Sequence, residues 1–402
     1  MSIRIKLVGL VGVVALATAA CGGALDGEAT QPDPGPEVTT PTPVNGVLPE
    51  GPSALDNKFD ASFPEPLIDP NDIRSGGPPP DGIPPIDDPK FVSVAEADEW
   101  LNDPEPVLVV EVDGDVRAYP IQILMWHEIV NDTVGGIPLA VTYCPLCNSA
   151  ITFERTVRGV ETTFGTSGSL YFANLVMYDR ATESLWNQLD GRATVGVLTG
   201  ETLTQVPSST MSWEVFKESR PDAKVLDRNR TGANRRYGTN PYTGLDDPNG
   251  QPFLFNGDID VRAKAMQRIV AIEGPDQAVA WALDAISDDT AAAATAGEFD
   301  GEPLVILWLA GEASALDSSD IAAGRDVGTV GVFASTVDGQ SLTFEAVGEA
   351  YVDDQTSSTW NVLGEAVSGP LAGTTLEPVT FVRTFWFSWA AFRPDTELIE
   401  AS

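Results

Sequence analysis

The sequence predicts a mainly β protein with a few short helices, arranged as two degenerate copies of one β-rich unit. Three observations carry that expectation. Short apolar runs alternate with Gly and Asp turns, helical periodicity is sparse, and segments of the first half recur in order in the second.

Residues 107–112, the pair Asp113-Gly114 and residues 116–119 read as a β-hairpin, because Asp-Gly suits a two-residue turn. Residues 138–143 are apolar and β-rich. Residues 151–157 alternate, and Arg158-Gly159 turns them into 160–164. Helices are expected at 93–101, where Ser93 and Glu96 stand in capping-box spacing, and at 121–130, 213–219 and 277–286.

The internal matches are specific. Ile151-Thr152-Phe153-Glu154 resembles Leu342-Thr343-Phe344-Glu345. Asp179, Trp186 and Asn187 recur as Asp353, Trp360 and Asn361. Ser212-Trp213 and Phe216, followed by Arg220-Pro221-Asp222, pair with Ser388-Trp389 and Phe392, followed by Arg393-Pro394-Asp395. Residues 110–114 resemble 271–274. The organisation expected is therefore a signal peptide at 1–21, an extended tether at 22–90, a first repeat at 91–230, a connecting segment at 231–264 and a second, degenerate repeat at 265–402.

The signal peptide rests on Arg4 and Lys6, an apolar run from residue 7 to 17 too short to span a bilayer, and Thr18-Ala19-Ala20-Cys21-Gly22-Gly23. These small residues before a cysteine look like a lipobox. They imply that Cys21 is lipidated and holds the chain on the outer face of the cell membrane, its only membrane contact. Residues 22–90 hold about half of the 31 prolines and read as an extended tether, whose later part, with Phe59, Phe63 and Ile68, is the piece able to pack on the body.

The formal net charge of −36 repels nucleic acid and anionic lipid, so neither is expected as a partner. With Cys21 lipidated, one cysteine pair remains in a compartment that permits disulfides, beside the single histidine of the chain.

That pair, Cys144-Pro145-Leu146-Cys147, is a C-x-x-C motif. Its spacing lets the two sulfurs meet in a tight loop, as a redox-active couple, a soft-metal ligand pair or an inert structural disulfide. A thioredoxin fold needs a long helix after the motif. Here a strand resumes at Ile151, and one pair cannot complete a four-cysteine zinc site. Near a thiol, His127 would stabilise the thiolate or act as acid or base, since histidine ordinarily titrates near neutrality. With Met125 and both thiolates it offers a Cu(I) ligand set. A zinc-protease motif fails, because Asn131 stands where the second His is needed. The loop 164–169 is a turn of small residues or the wall of a site, and Arg228, Arg230, Arg235 and Arg236 read as ion-pairing partners of nearby Asp.

Several motifs resemble the DUF3179 family of exported proteins. They are Trp126-His127-Glu128-Ile129-Val130-Asn131-Asp132, Tyr143-Cys144-Pro145-Leu146-Cys147-Asn148, Phe164-Gly165-Thr166-Ser167-Gly168, Met177-Tyr178-Asp179-Arg180, Asn240-Pro241-Tyr242-Thr243-Gly244, and the ending from Phe385 to Thr396. The resemblance covers roughly 90–400 and implies no assigned role. Some members of that family are selenoproteins. Selenocysteine in place of a motif cysteine there would favour redox chemistry at Cys144 and Cys147 over a structural staple, without singling out either one.

The expectation is thus a lipid-anchored thiol/disulfide redox protein, a thiol-dependent oxidoreductase if it is an enzyme. Cys144 and Cys147 carry the reaction, His127 tunes them, and Trp126, Glu128, Tyr143, Asn148 and Ser167 line the site. No cofactor is required. The substrate is a protein disulfide, a peroxide or a small thiol. The alternatives are a copper-binding protein using Cys144, Cys147, His127 and Met125, and a non-catalytic, ligand-binding surface lipoprotein with a structural disulfide.

Overall fold

The structure, a computed structural model, describes residues 46–287 and 290–400. The signal peptide, Cys21 and the first part of the tether lie outside the described residues. The fold is mainly β, with several small sheets and a few short helices. Among the described residues no helix is long and apolar enough to cross a membrane.

Tight hairpins set most of the strand pairs. Pro106–Val112 pairs antiparallel with Asp115–Pro120 across Asp113-Gly114, both with positive φ, as a two-residue hairpin turn requires. The same geometry recurs at Gly135-Gly136, Arg158-Gly159, Asp300-Gly301 and Asp338-Gly339. In each, glycine takes the second left-handed position. One turn of this kind, Phe172-Ala173, has no glycine.

The two halves run through the same order of pairings. In the first, one sheet orders Ser208–Ser212, Pro106–Val112, Asp115–Pro120 and Lys224–Leu226, the last parallel to its neighbour. In the second, Val382–Phe385, Arg268–Glu273, Ala278–Ala282 and Glu397–Ile399 take that order, again with a parallel last strand. A second sheet follows in each: Ile129–Val134, Ile137–Cys144 and Ser149–Glu154, then Ala292–Phe299, Glu302–Leu309 and Thr329–Ala334. A third runs from Phe164–Tyr171 to Ala193–Val195 in the first half, and from Phe344–Val347 to Ala366–Ser368 in the second.

Inside those third sheets one hydrogen-bond set occurs twice. The buried Asp179 carboxylate accepts from Thr182, the Ser184 amide and Trp186 Nε1; Asp353 accepts from Thr356, the Ser358 amide and Trp360 Nε1. Two of the sequence matches shift. Leu342-Thr343-Phe344 follows a small hairpin and occupies the place of Thr162-Thr163-Phe164, not of Ile151-Thr152-Phe153: Thr162 N bonds Arg155 O as Leu342 N bonds Ser335 O. Trp213 corresponds to Trp386 rather than Trp389. Each opens a seven-residue helix ending at Arg-Pro-Asp, and each amide bonds the carbonyl just before the corresponding strand, Glu105 before Pro106–Val112 and Gln267 before Arg268–Glu273. A second tryptophan one helical turn on made the slip invisible in the sequence.

Other expectations change as well. Residues 277–286 do not form one helix. Ala278–Ala282 is a strand buried between two neighbours, and only Leu283–Ile286 is helical. Pairing on both edges overrides the helix propensity of the alanines. Helix Val94–Ala97 carries the expected Ser93/Glu96 capping box but is shorter. Residues 46–90 are not an extended tether. They form a strap on the first half: Ala54, Ile73 and Ile86 are buried, Phe63 and Ile68 pack with Ala54 and Ile73, and Arg74–Ser75 adds an edge strand to Phe164–Tyr171. Prolines prevent regular structure there without preventing burial. Phe59 stays exposed.

Candidate thiol site

The C-x-x-C residues join two strands of the second sheet of the first half, with Cys144 opposite Ser149. The loop turns within four residues because Asn148 takes a left-handed conformation (φ 52°), which Asn tolerates better than most residues. Both cysteines are free thiols, 1% and 0% exposed, in an apolar cluster with Ile129, Trp186, Trp386 and Trp389.

Three elements aim polar groups at the sulfurs. The Ala173 carbonyl lies 3.8 Å from Cys144 Sγ and 3.5 Å from Cys147 Sγ. Phe172 and Ala173 both have positive φ without being glycine, so this turn holds strain beside the thiols. The next residue, Asn174, donates from Nδ2 to Cys147 Sγ at 3.5 Å. Its amide is fixed: Nδ2 also donates to Gln188 Oε1, Oδ1 accepts from Leu189 N, and Gln188 is held by Ser149 and Thr142. The third element is from the other half. Phe385 N and Thr384 Oγ1 both donate to the Cys147 carbonyl, at 3.0 and 2.8 Å, and the helix that follows sets Ser388 Oγ, buried and without a well-formed bond of its own, beside Cys147.

These contacts make the two thiols unequal. Burial pushes the Cys144 thiol well up, and the shared hydrogen bond with Cys147 adds to that. Burial acts on Cys147 in the same direction, but hydrogen bonds from Cys144, Ser388 and Asn174 outweigh it and hold that thiol below its ordinary value.

Glu128 is tied to the strand that leads into the thiol loop, its carbonyl accepting from Tyr143 N at 2.8 Å. It ends helix Ile121–His127 with φ 59°, the residue as a whole is 8% exposed, and its carboxylate makes no hydrogen bond among the described residues. Burial, then the neighbouring Cys144, pushes its pKa up to about 8. From the connecting segment Tyr242 packs against the cluster, and its hydroxyl, raised by burial, also feels Glu128 and Cys144.

The structure does not bring His127 to the thiols. Its Nδ1 donates to Pro84 O at 2.7 Å, which leaves Nε2 to accept from Tyr237 OH, also at 2.7 Å. Burial lowers its pKa, and the nearby Arg235 works in the same direction. Met125 is buried in the neighbouring cluster on the same helix. Trp126 lies under the Arg235 guanidinium. Among the described residues no three His, Cys, Asp or Glu side chains gather to hold a metal ion. Tyr143 alternates to the opposite face of its strand, where its hydroxyl bonds Asn148 Oδ1, and both line a polar cavity with Arg268, Glu312 and Arg383.

Ser167 is spent on a β-bulge: Oγ donates to Val176 O and accepts from Ser169 N. The glycines around it make room for the strap, since a Cβ on Gly168 would stand 1.9 Å from Pro78 O. Of the basic cluster, Arg230 pairs with Asp227, and Arg228 lies over Trp100. Sequence reasoning missed Asn174 and Ser388. A hairpin turn lacking glycine was the one available signal for Asn174.

No match was found among the curated proteins or the solved structures. The model of the family described as a protein of unknown function, DUF3179, matches residues 80–396, most of the chain, and the protein belongs to that family.

Proposed function

We propose that the protein is a thiol/disulfide redox protein in which Cys147 is the attacking thiolate and Cys144 the resolving thiol. The observation that carries the reading is the fixed Asn174 amide aimed at Cys147 Sγ, with no equivalent donor from a side-chain amide at Cys144. A structural staple has no use for a group that stabilises one sulfur as an anion. Burial of both thiols selects a small substrate over a folded protein disulfide. Attachment to the outer face of the membrane through Cys21 belongs to the same proposal; Cys21→Ser should release the protein into the soluble fraction. We read the two halves as copies of one unit, of which the first keeps the reactive groups; their shared sheet order supports this.

The test is a glutathione redox titration with thiol trapping. A potential in the range of exchange proteins, roughly −120 to −270 mV, is expected. Cys144→Ser should leave a thiol at Cys147 that alkylates faster than Cys144 does in Cys147→Ser. A potential below about −300 mV, or equal reactivity of the two single variants, would remove the redox reading.

A further inference from the structure

The halves meet along two clefts that are counterparts of one another. In each, the first sheet of one half faces the second and third sheets of the other. One cleft is lined by Val109, Glu111 and Arg220 of the first half and by Phe333, Leu363 and Glu365 of the second. The other is lined by Ala271, Glu273 and Arg393 of the second half and by Phe153, Leu189 and Arg192 of the first. Backbone bonds fix the correspondence. Asn187 N bonds Arg192 O as Asn361 N bonds Glu365 O, and the two residues form equivalent bridges, to Thr202 and to Thr375. Arg220 and Arg393 both open Arg-Pro-Asp, and each donates from Nη1 to the carbonyl just before it. A Cβ on Gly191 would stand 2.7 Å from the Phe153 ring, and one on Gly364 would stand 2.8 Å from the Phe333 ring.

The clefts differ in what they do with charge. In the first, Arg220 donates to Glu365 at 2.8 Å and lies 3.6 Å from Glu111, so the arginine is spent inside the fold. In the second, Arg192 stands where Glu365 would, and its guanidinium makes no hydrogen bond or ion pair among the described residues. Asn187 and Gly191 also bracket three residues where Asn361 and Gly364 bracket two, and the charged residue gained is Asp190. Asp190 Oδ1 accepts from Arg192 N at 3.1 Å, but Oδ2 accepts nothing. Its one cation, Arg393, is 4.0 Å away and already held by both oxygens of Glu273. A solvated arginine needs no partner, but a carboxyl only 7% exposed does. Burial accordingly pushes the Asp190 carboxyl up, against Arg192 and Arg393. Phe153, Leu203 and Trp389 form the apolar wall beside these groups. The cleft holds about 440 Å³, within the range of small-molecule sites.

We propose that this second cleft binds a free α-amino acid with an apolar side chain. The ligand carboxylate lies on the Arg192 guanidinium, its ammonium on Asp190 Oδ2, and its side chain against Phe153, Leu203 and Trp389. A zwitterion uses both of the charges that the cleft leaves open and adds no net charge to it. The twin cleft, with glutamate in place of Arg192 and no residue in place of Asp190, lacks both anchors. The site is separate from the thiols and does not depend on the redox reading.

The experiment is calorimetric titration of the full chain with L-phenylalanine and L-leucine. Phenylalanine amide, which lacks the carboxylate, and 3-phenylpropanoate, which lacks the ammonium, are titrated alongside. At least one of the two amino acids should bind saturably, and each analogue about 10-fold more weakly than L-phenylalanine or not at all. Arg192→Gln and Asp190→Asn should each weaken amino-acid binding about 10-fold. Asn keeps the acceptor for Arg192 N and Arg192 is exposed, so both variants should melt with the wild type. The losses should also separate: Arg192→Gln should weaken 3-phenylpropanoate and spare the amide, and Asp190→Asn should do the reverse. Glu365→Gln, in the twin cleft, should leave affinity within about twofold of wild type. No saturation by either amino acid in the millimolar range overturns the proposal. So do analogues that bind as tightly as L-phenylalanine, or a loss in Glu365→Gln equal to that in Arg192→Gln.

Discussion

The two halves place different structures at one position of one topology. In the first, Cys144 and Ser149 close a strand pair through the short C-x-x-C loop; in the second, Leu309 and Thr329 close the corresponding pair, and the chain between them makes a long excursion. That excursion carries Glu312, Ser314 and Arg325, which tie together Arg383, the buried Asp246 of the connecting segment and Arg268. Each loop docks on the closing strand of the other half. Phe385 N donates to Cys147 O, and Ser212 N, at the corresponding position, donates to Thr329 Oγ1. One half thus concentrates thiols and an unpaired acid, while the other concentrates ion pairs that fix the connection and clamp the thiol loop. A half that has no Cys and no His still forms one wall of the site.

The twin carboxylates offer the largest test of that division. Asp179 and Asp353 are each fully buried and hold the same three residue types. Replacing either by Ala strands a buried indole N–H and two hydroxyl-bearing residues, which should cost roughly 3–5 kcal/mol in chemical denaturation. The two losses should match within about 1 kcal/mol if the halves contribute equally to one cooperative fold. Only Asp179→Ala should alter thiol alkylation in the protein that remains folded, because Trp186 packs in the thiol cluster and Trp360 does not. Equal disturbance of the thiols by both would erase the distinction between the halves.

Ser388 tests the clamp more finely. It stands where the first half has Val215, counting back from each Arg-Pro-Asp. Its hydroxyl has no well-formed hydrogen bond to lose, so Ser388→Ala should change stability by no more than about 0.5 kcal/mol. Loss of its interaction with the Cys147 thiolate should move the alkylation profile to higher pH, lowering reactivity at pH 7 about 3- to 10-fold. An unmoved profile would confine the second half to a mechanical role.

His127 separates chemistry from scaffold inside the first half. Burial lowers its pKa, so below about pH 6.5 the unfolded chain binds a proton that the folded chain refuses. Stability should therefore fall as pH drops through that value, down to the lowered folded pKa. His127→Gln should flatten this dependence in urea titrations between pH 5 and 7. Thiol reactivity should stay within twofold of wild type, since no bond links the ring to either sulfur. A larger change would restore His127 to the site.

What the sequence made legible follows the same split. The Asp-Gly and Arg-Gly hairpins were readable because a two-residue turn demands positive φ of named residue types. The cysteines and His127 stood out because they are rare. Glu128, adjacent to His127, was recognisable only as a site-lining residue, because the burial that raises its carboxyl is a property of packing. Asn174 is an ordinary polar residue until Gln188 and Leu189 fix its amide. In the strap 46–90, Phe63 and Ile68 pack as their apolar character suggests, while proline content reports the absence of regular structure and says nothing about the burial of Ala54, Ile73 and Ile86.

The smallest expected effect lies in the turn that faces the thiols. The first half closes Phe164–Tyr171 and Asn174–Asp179 with Phe172-Ala173, both left-handed; the second half has Gly348 in its corresponding turn. Gly348 stands at the position of Phe172, so Ala173→Gly relieves the second left-handed residue rather than copying the second half. Relief of a left-handed Cβ is worth about 1 kcal/mol, and the lost burial of a methyl on a fully enclosed residue costs about 0.8 kcal/mol. The two nearly cancel, so the midpoint of denaturation should barely move. The Ala173 carbonyl, which faces both sulfurs, gains freedom in the same change. If the strained turn exists to hold that carbonyl, the difference in alkylation rate between Cys147 and Cys144 should narrow at constant stability. If it only closes a hairpin, both thiols should react as in wild type, and the absence of glycine there would have no chemical meaning.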